Sequence, residues 1–153
     1  MEEVHSMKRA VLIFVLFFFV FLVKFIAYSE QTYIVPTDKQ LKQLEALPDE
    51  GPVVMLNLVK LKPEIDLESL AKYWLGATKL LERFGGKLIY FGMYEMPVIG
   101  EGKEKWDAVA LVMYPSREAF LKMYRSQEYQ DLAPYRNEEL FDSRLWATKP
   151  VIY

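Results

Sequence analysis

The chain has 153 residues, a formal net charge of -2 and no cysteine. That length suits one domain, and the interspersed acidic and basic residues form no basic face for nucleic acid. The missing cysteine excludes disulfides, thiolate metal sites and a cysteine nucleophile. The single histidine, His5, precedes the predicted folded part, so we expect no imidazole chemistry.

The N-terminal residues 1–29 contain the strongest apolar segment. Residues 10–28 are apolar except for Lys24, and as a helix they are about 28 Å long, just enough for the roughly 30 Å hydrocarbon core. The same segment fits a signal peptide cleaved near Ser29. Lys24 and the bulky Tyr28 make a poor cleavage region, so a membrane anchor is favoured over a cleaved signal.

Two basic residues, Lys8 and Arg9, come directly before this segment. By the positive-inside rule they keep the N-terminus in the cytoplasm and send the rest of the chain across the membrane. The sequence thus predicts a domain anchored outside the cytoplasm, in a periplasmic or extracellular position. Secretion after cleavage is the alternative.

Residues 30–50 are predicted to form a linker and a short helix. Thr37 and Gln40 have the spacing of a capping box at the helix start, and Pro48 ends the helix. A turn follows, and residues 51–153 form the predicted globular domain.

The domain begins with a predicted strand over Val53–Leu61, which is apolar on both alternating faces and is therefore expected to be covered on both sides. Asp66 then caps a helix that ends at Gly85 in a left-handed cap. Its apolar residues recur every three or four positions. They are Leu67, Leu70, Trp74, Ala77, Leu81 and Phe84.

Two further strands are predicted over Lys87–Met96 and Trp106–Tyr114, the latter ended by Pro115. Ser116 can cap the next helix. Its predicted buried stripe consists of Ala119, Phe120, Met123 and Tyr124.

The C-terminal part contains a second short helix and a last strand. The helix is predicted over Gln127–Ala133, stopped by Pro134, and the strand over Leu140–Thr148. The resulting order, β-α-β-β-α-β, predicts an α+β ferredoxin-like sandwich. Two helices cover one face of such a sheet, so the other apolar face is expected to pack against a second copy in a homodimer.

Several stretches carry a family resemblance: VVMLNLVKLKP, RFGGKLIYFG, WDAVALVMYPSREAFLKM, and SQEYQ followed by Arg136. Over roughly residues 51–149 the chain resembles the domain of unknown function 1330 family of the dimeric α/β-barrel superfamily. The resemblance implies the ferredoxin-like fold and the dimer, but no agreed activity. The apolar N-terminus departs from many relatives, and Tyr135 stands where relatives often have a histidine.

Four residues are the candidate ligand-binding set: Asn57, Asp107, Tyr129 and Arg136. Asn57 and Asp107 are polar residues on the two expected central strands, and a buried amide must be hydrogen-bonded. Asn57 therefore either faces a pocket or holds a loop. Asp107 is either a base in a cavity or the partner of an arginine, Arg117, Arg136 or Arg144.

The tyrosines add an aromatic component to this candidate site. Tyr90, Tyr94, Tyr114 and Tyr129 either line a pocket for an aromatic or lipid-like ligand or belong to the core. Arg136 can bind a carboxylate bidentately, with Tyr129 beside it.

No metal, phosphate or nucleophile motif is present, so we predict no metal site and no cofactor. Two functions stay open. One is a membrane-tethered or exported dimeric domain that binds a small apolar or aromatic ligand, or is structural. The other is a cofactor-free enzyme, monooxygenase- or isomerase-like, acting on a small aromatic or lactone-like substrate. A haem-dependent version is disfavoured because the domain lacks histidine.

Overall fold

The computed structural model describes residues 32–100 and 105–151. They belong to one compact unit that begins at Thr32. The predicted anchor or signal in residues 1–29, including the membrane contact of residues 10–28, lies outside the described residues. Within the described ranges, no helix has both the length and the apolarity needed to cross a bilayer.

The described ranges contain an antiparallel sheet of four strands with the order β2-β3-β1-β4, which places β1 and β3 at the centre. This confirms the predicted α+β ferredoxin-like fold. In chain order the elements are α1 (Asp38–Glu45), β1 (Val53–Leu61), α2 (Leu67–Arg83), β2 (Lys87–Met93), β3 (Ala108–Tyr114), α3 (Arg117–Arg125), α4 (Gln127–Asn137) and β4 (Leu140–Thr148).

One face of the sheet, here called the helix face, carries the core. Met55 of β1 pairs with Val112 of β3 and with Ala147 of β4, so these three side chains share that face. Val53 and Tyr114 are among the most buried residues on it. They pack with Leu80 of α2 and with three residues of α3, namely Phe120, Leu121 and Met123.

The opposite face, here called the outer face, is also apolar. Its central residues are half-buried, and they form the cross-strand pairs Val54–Met113, Leu56–Leu111 and Leu58–Val109. The two apolar faces expected for Val53–Leu61 are therefore both present.

The short helix α1 belongs to the domain itself. Its capping box is present, because Thr37 Oγ1 accepts from Gln40 N–H at 3.3 Å and Gln40 Oε1 accepts from Thr37 N–H at 2.8 Å. Leu41 and Leu44 pack against the core cluster. This segment, assigned to a linker region on sequence, thus contributes to the domain core.

Ser126 is the only residue between α3 and α4, which makes the connection between these helices very short. Its hydroxyl donates to the carbonyl of Met123 at 2.7 Å and accepts from the N–H of Tyr129 at 3.3 Å. One side chain therefore caps the end of α3 and the start of α4.

The prediction that Pro134 stops the second short helix is wrong, because α4 continues through it to Asn137. Proline removes one N–H donor, but its φ suits a helix and its carbonyl still accepts. The Pro134 carbonyl does so, from Glu138 N–H at 3.0 Å.

The other differences concern element ends and the buried side of α2. β2 ends at Met93, and β3 begins at Ala108 rather than at Trp106. Leu67, predicted to be buried, is 70% exposed because it starts the helix, whereas Leu80 is only 6% exposed. The buried stripe of α2 is therefore rotated from the predicted one.

Candidate functional site

A cavity of about 1070 Å³ lies between the helix face of the sheet and the helices. This volume is slightly above the range of about 300–1,000 Å³ that is usual for small-molecule sites. Its walls are mainly apolar, with Met55, Val59, Leu70, Ala77, Val112 and Phe120 among the lining residues.

Residues 33–36, here called the N-terminal strap, form part of the cavity wall together with α1. The strap is held at β4. Tyr33 N–H donates to Asp142 Oδ1 at 2.6 Å. The Tyr33 carbonyl accepts from the N–H of Ser143 at 2.6 Å and from its hydroxyl at 3.0 Å.

Three tyrosines on α2, α3 and α4 line the cavity: Tyr73, Tyr124 and Tyr129. Burial raises the pKa of each phenol above its ordinary value. The neighbouring phenol of Tyr129 raises the pKa of Tyr73 further, whereas that of Tyr73 partly offsets the rise for Tyr129. At neutral pH the phenols therefore keep their protons and act as hydrogen-bond donors.

Arg136 of α4 is half-buried and lines the same cavity. Its Nη1 donates to the carbonyl of Ile34 at 3.4 Å and to Asn137 Oδ1 at 3.1 Å. Its charge partly offsets the effect of burial on the pKa of Tyr129 and of Tyr73. Among the described residues, none of the carboxylates forms an ion pair with Arg136.

Asn57 also lines the cavity, from the centre of the sheet. It pairs with Ala110 of β3 and Leu145 of β4. Its side-chain Nδ2 donates to the carbonyl of Met55 at 3.2 Å. One of the two amide donors is thus engaged by the protein itself.

Asp107 is not among the residues that line this cavity. It is exposed, and its Oδ2 accepts from the N–H of Leu61 at 2.7 Å. The arginine partnership considered for it is replaced by this backbone contact. The structure therefore brings Asn57, Tyr129 and Arg136 to one cavity. Asp107 lies outside it, directly before β3, where it binds the backbone at the end of β1.

Of the four tyrosines that the sequence suggested for the site, two line the cavity and two do not. Tyr114 and Tyr129 line the cavity, whereas Tyr90 and Tyr94 do not. Tyr73 was missed. Its signal was present, because Leu70, Tyr73, Ala77 and Leu80 are spaced at three and four residues and define the side of α2 that faces the cavity.

Residues 59–144 match the family described as "Domain of unknown function (DUF1330)". A solved protein of unknown function from Rhodopseudomonas palustris is 36% identical, with 80% of this chain and 100% of that chain covered and a TM-score of 0.73.

More distant structures share the fold. A hydroxynitrile lyase from Passiflora edulis is 10% identical, with 67% of this chain and 96% of that chain covered and a TM-score of 0.53. An Arabidopsis thaliana protein is 15% identical, with coverage of 66% and 97% and a TM-score of 0.51. At these identities the likeness concerns the fold alone. The comparison with curated proteins found no match. The family match and the Rhodopseudomonas relative agree with the sequence motifs, and the chain belongs to the DUF1330 family.

Proposed function

We propose that this domain binds a small, mainly apolar molecule in the cavity between its sheet and its helices. The observation that carries the proposal is the cavity itself, about 1070 Å³ with mainly apolar walls and a few polar side chains, among them Asn57, Tyr129 and Arg136. Ligand sites typically combine such walls with a few polar groups that fix orientation.

Binding is favoured over catalysis because of the chemistry of those groups. The phenols of Tyr73 and Tyr129 hold their protons at neutral pH, and Arg136 is a permanent cation, so these three act as donors rather than bases. Asp107, the carboxylate considered as a base, is outside the lining. The cofactor-free enzyme hypothesis therefore has no specific support at this site.

A thermal-denaturation screen of the full-length chain against small aromatic and aliphatic molecules tests the proposal. We expect ligands to raise the denaturation midpoint. Ala77→Phe, which fills the cavity from α2, should remove that rise, and Lys79→Phe on the exposed side of the same helix should preserve it. A rise that survives in Ala77→Phe would place the ligand elsewhere and contradict the proposal.

The proposal includes a homodimer formed through the outer face of the sheet. The half-buried pairs at its centre are flanked by Trp146, which is 51% exposed, and Tyr90, which is 53% exposed. An apolar surface of this extent is unusual on a monomer. Sedimentation of the full-length chain should give a dimer. Leu111→Glu should give a monomer, whereas Leu75→Glu, on exposed α2 surface, should leave the dimer intact.

Membrane tethering rests on the sequence of residues 10–28 and on the basic residues before them. We propose that this segment anchors the domain outside the cytoplasm, with cleavage near Ser29 as the alternative. Alkaline extraction of membranes distinguishes the two, because only an intact anchor keeps the chain in the pellet. Protease added to cells with a permeabilised outer envelope and an intact cytoplasmic membrane should digest the domain. Full protection of the domain would contradict its proposed position outside the cytoplasm.

A further inference from the structure

We propose that the ligand of this cavity is a monocarboxylate, whose acid group binds to Arg136 and Tyr129 while its apolar body lies against the sheet. The inference rests on the proposed binding function and names the chemical class of the ligand.

Arg136 supplies the first argument. It is a half-buried cation beside an apolar cavity, and within the described part of the chain it forms no ion pair. A charge removed from water is stabilised best by an opposite charge. It donates from Nη1 to two neutral acceptors, the carbonyl of Ile34 and the amide oxygen of Asn137.

The geometry of the guanidinium supplies the second argument. Arginine has five N–H donors arranged in a planar fork that matches the two oxygens of a carboxylate. Among the described residues, acceptors are bound only by Nη1, so the fork keeps further donors for a ligand. A neutral ligand group would leave the charge without compensation.

Tyr129 supplies a second donor. It lies on α4 seven residues before Arg136, about two helical turns, and lines the same cavity. Burial raises the pKa of Tyr129, so its O–H stays protonated at neutral pH and can donate to a ligand. A phenol O–H bound to a carboxylate is a charge-assisted hydrogen bond, which is shorter and stronger than a neutral one.

The surrounding charges favour a monoanion. Arg144, the other arginine in the lining, is paired with Asp142 at 2.6 Å. Lys87 lies on β2, at the opposite edge of the sheet from β4. Arg136 is linked to the β4 edge, because its acceptor Ile34 also accepts from Ser143. Among the lining residues that the structure describes, Arg136 is therefore the one cation at this end without an ion pair, and the wall is mainly apolar.

The test compares 4-phenylbutyrate with 4-phenylbutanamide, which has the same apolar body and no charge. Calorimetric titration of the full-length chain at pH 7, in one non-ionic detergent throughout, should show the acid binding at least about tenfold more tightly. Arg136→Met should abolish that preference. Tyr129→Phe should reduce the preference by a smaller factor. Arg125→Met, an exposed arginine of α3, is the matched control and should preserve it.

Equal affinities for acid and amide in the unaltered chain would overturn the inference and leave the binding function standing. Failure of both compounds to bind would overturn both the monocarboxylate inference and the proposed binding function. A preference for the acid that persists in Arg136→Met would also overturn the inference. If circular dichroism shows that Arg136→Met does not fold, two measurements still test the inference. They are the acid–amide comparison in the unaltered chain and the reduced preference for the acid in Tyr129→Phe.

Discussion

Nη1 of Arg144 lies 2.6 Å from Oδ1 of Asp142, and this ion pair within β4 lies where the strap is held. The same Asp142 oxygen accepts from the N–H of Tyr33. The guanidinium lies 4.9 Å from the ring centre of Tyr33 and 5.1 Å from that of Trp106. Arg144 therefore combines one ion pair with two cation–π contacts at the edge of β4.

Arg144→Met should lower the free energy of unfolding by about 2–3 kcal/mol, because it leaves the buried Asp142 carboxylate without its cation. Arg125→Met removes an exposed pair with Glu45 and should cost less than about 1 kcal/mol. Urea denaturation of both variants measures the difference. Equal losses would mean that the Arg144 contacts contribute no more than a surface pair.

The Asp142 carboxylate predicts a specific pH dependence. Burial alone would raise its pKa, but the Tyr33 N–H, the Arg144 guanidinium and the Ser143 N–H outweigh burial, and the pKa is lowered. A lowered pKa means that the ionised group stabilises the fold above the unfolded value of about 4, and that this stabilisation is lost as the pH falls through the folded-state pKa. Asp142→Asn should therefore be less stable than the unaltered chain at pH 7, with the gap narrowing below about pH 4. A gap independent of pH would contradict this assignment.

Asp107→Asn should change stability by less than about 1 kcal/mol, since the amide oxygen can still accept from Leu61 N–H. It should also leave ligand affinity unchanged, because Asp107 is not in the cavity lining. Denaturation and calorimetry on this one variant test both statements. A loss of several kcal/mol, or a marked loss of affinity, would show that the carboxylate has a further partner.

Gly86→Ala should destabilise the domain by about 1–3 kcal/mol through overpacking. A Cβ at this position would lie 2.3 Å from Leu81 Cδ1 and 3.0 Å from Tyr114 Cε1. Leu81→Ala removes the nearer contact, so the alanine at position 86 should cost less in that background. A double-mutant cycle measures this coupling, and simple additivity would locate the strain elsewhere.

Local sequence patterns predicted the elements whose determinants are local. The bounds Val53–Leu61 are confirmed by β1, and Thr37 with Gln40 forms the expected capping box. The end predicted for α4 at Pro134 was wrong because a proline removes only one N–H donor. The other hydrogen bonds of the helix can still carry it on to Asn137.

The site was only partly predictable, because it depends on where strands end and on contacts far apart in the sequence. Asp107 falls just before β3, which directs it to the backbone of Leu61 rather than to the cavity. The contact between Tyr33 and Ser143 joins residues 110 positions apart. No periodicity within either segment indicates such a contact, so the strap could not be expected from sequence.

The single residue between α3 and α4 has a consequence for how this family can vary in length. Ser126 caps both helices, and Tyr129 follows it within the first turn of α4. One residue added between Ser126 and Tyr129 would rotate the rest of α4 by about 100° relative to the cap. That rotation would carry Tyr129 and Arg136 away from the cavity together. Insertions should therefore be tolerated in the turns at the ends of the sheet, but not at this joint.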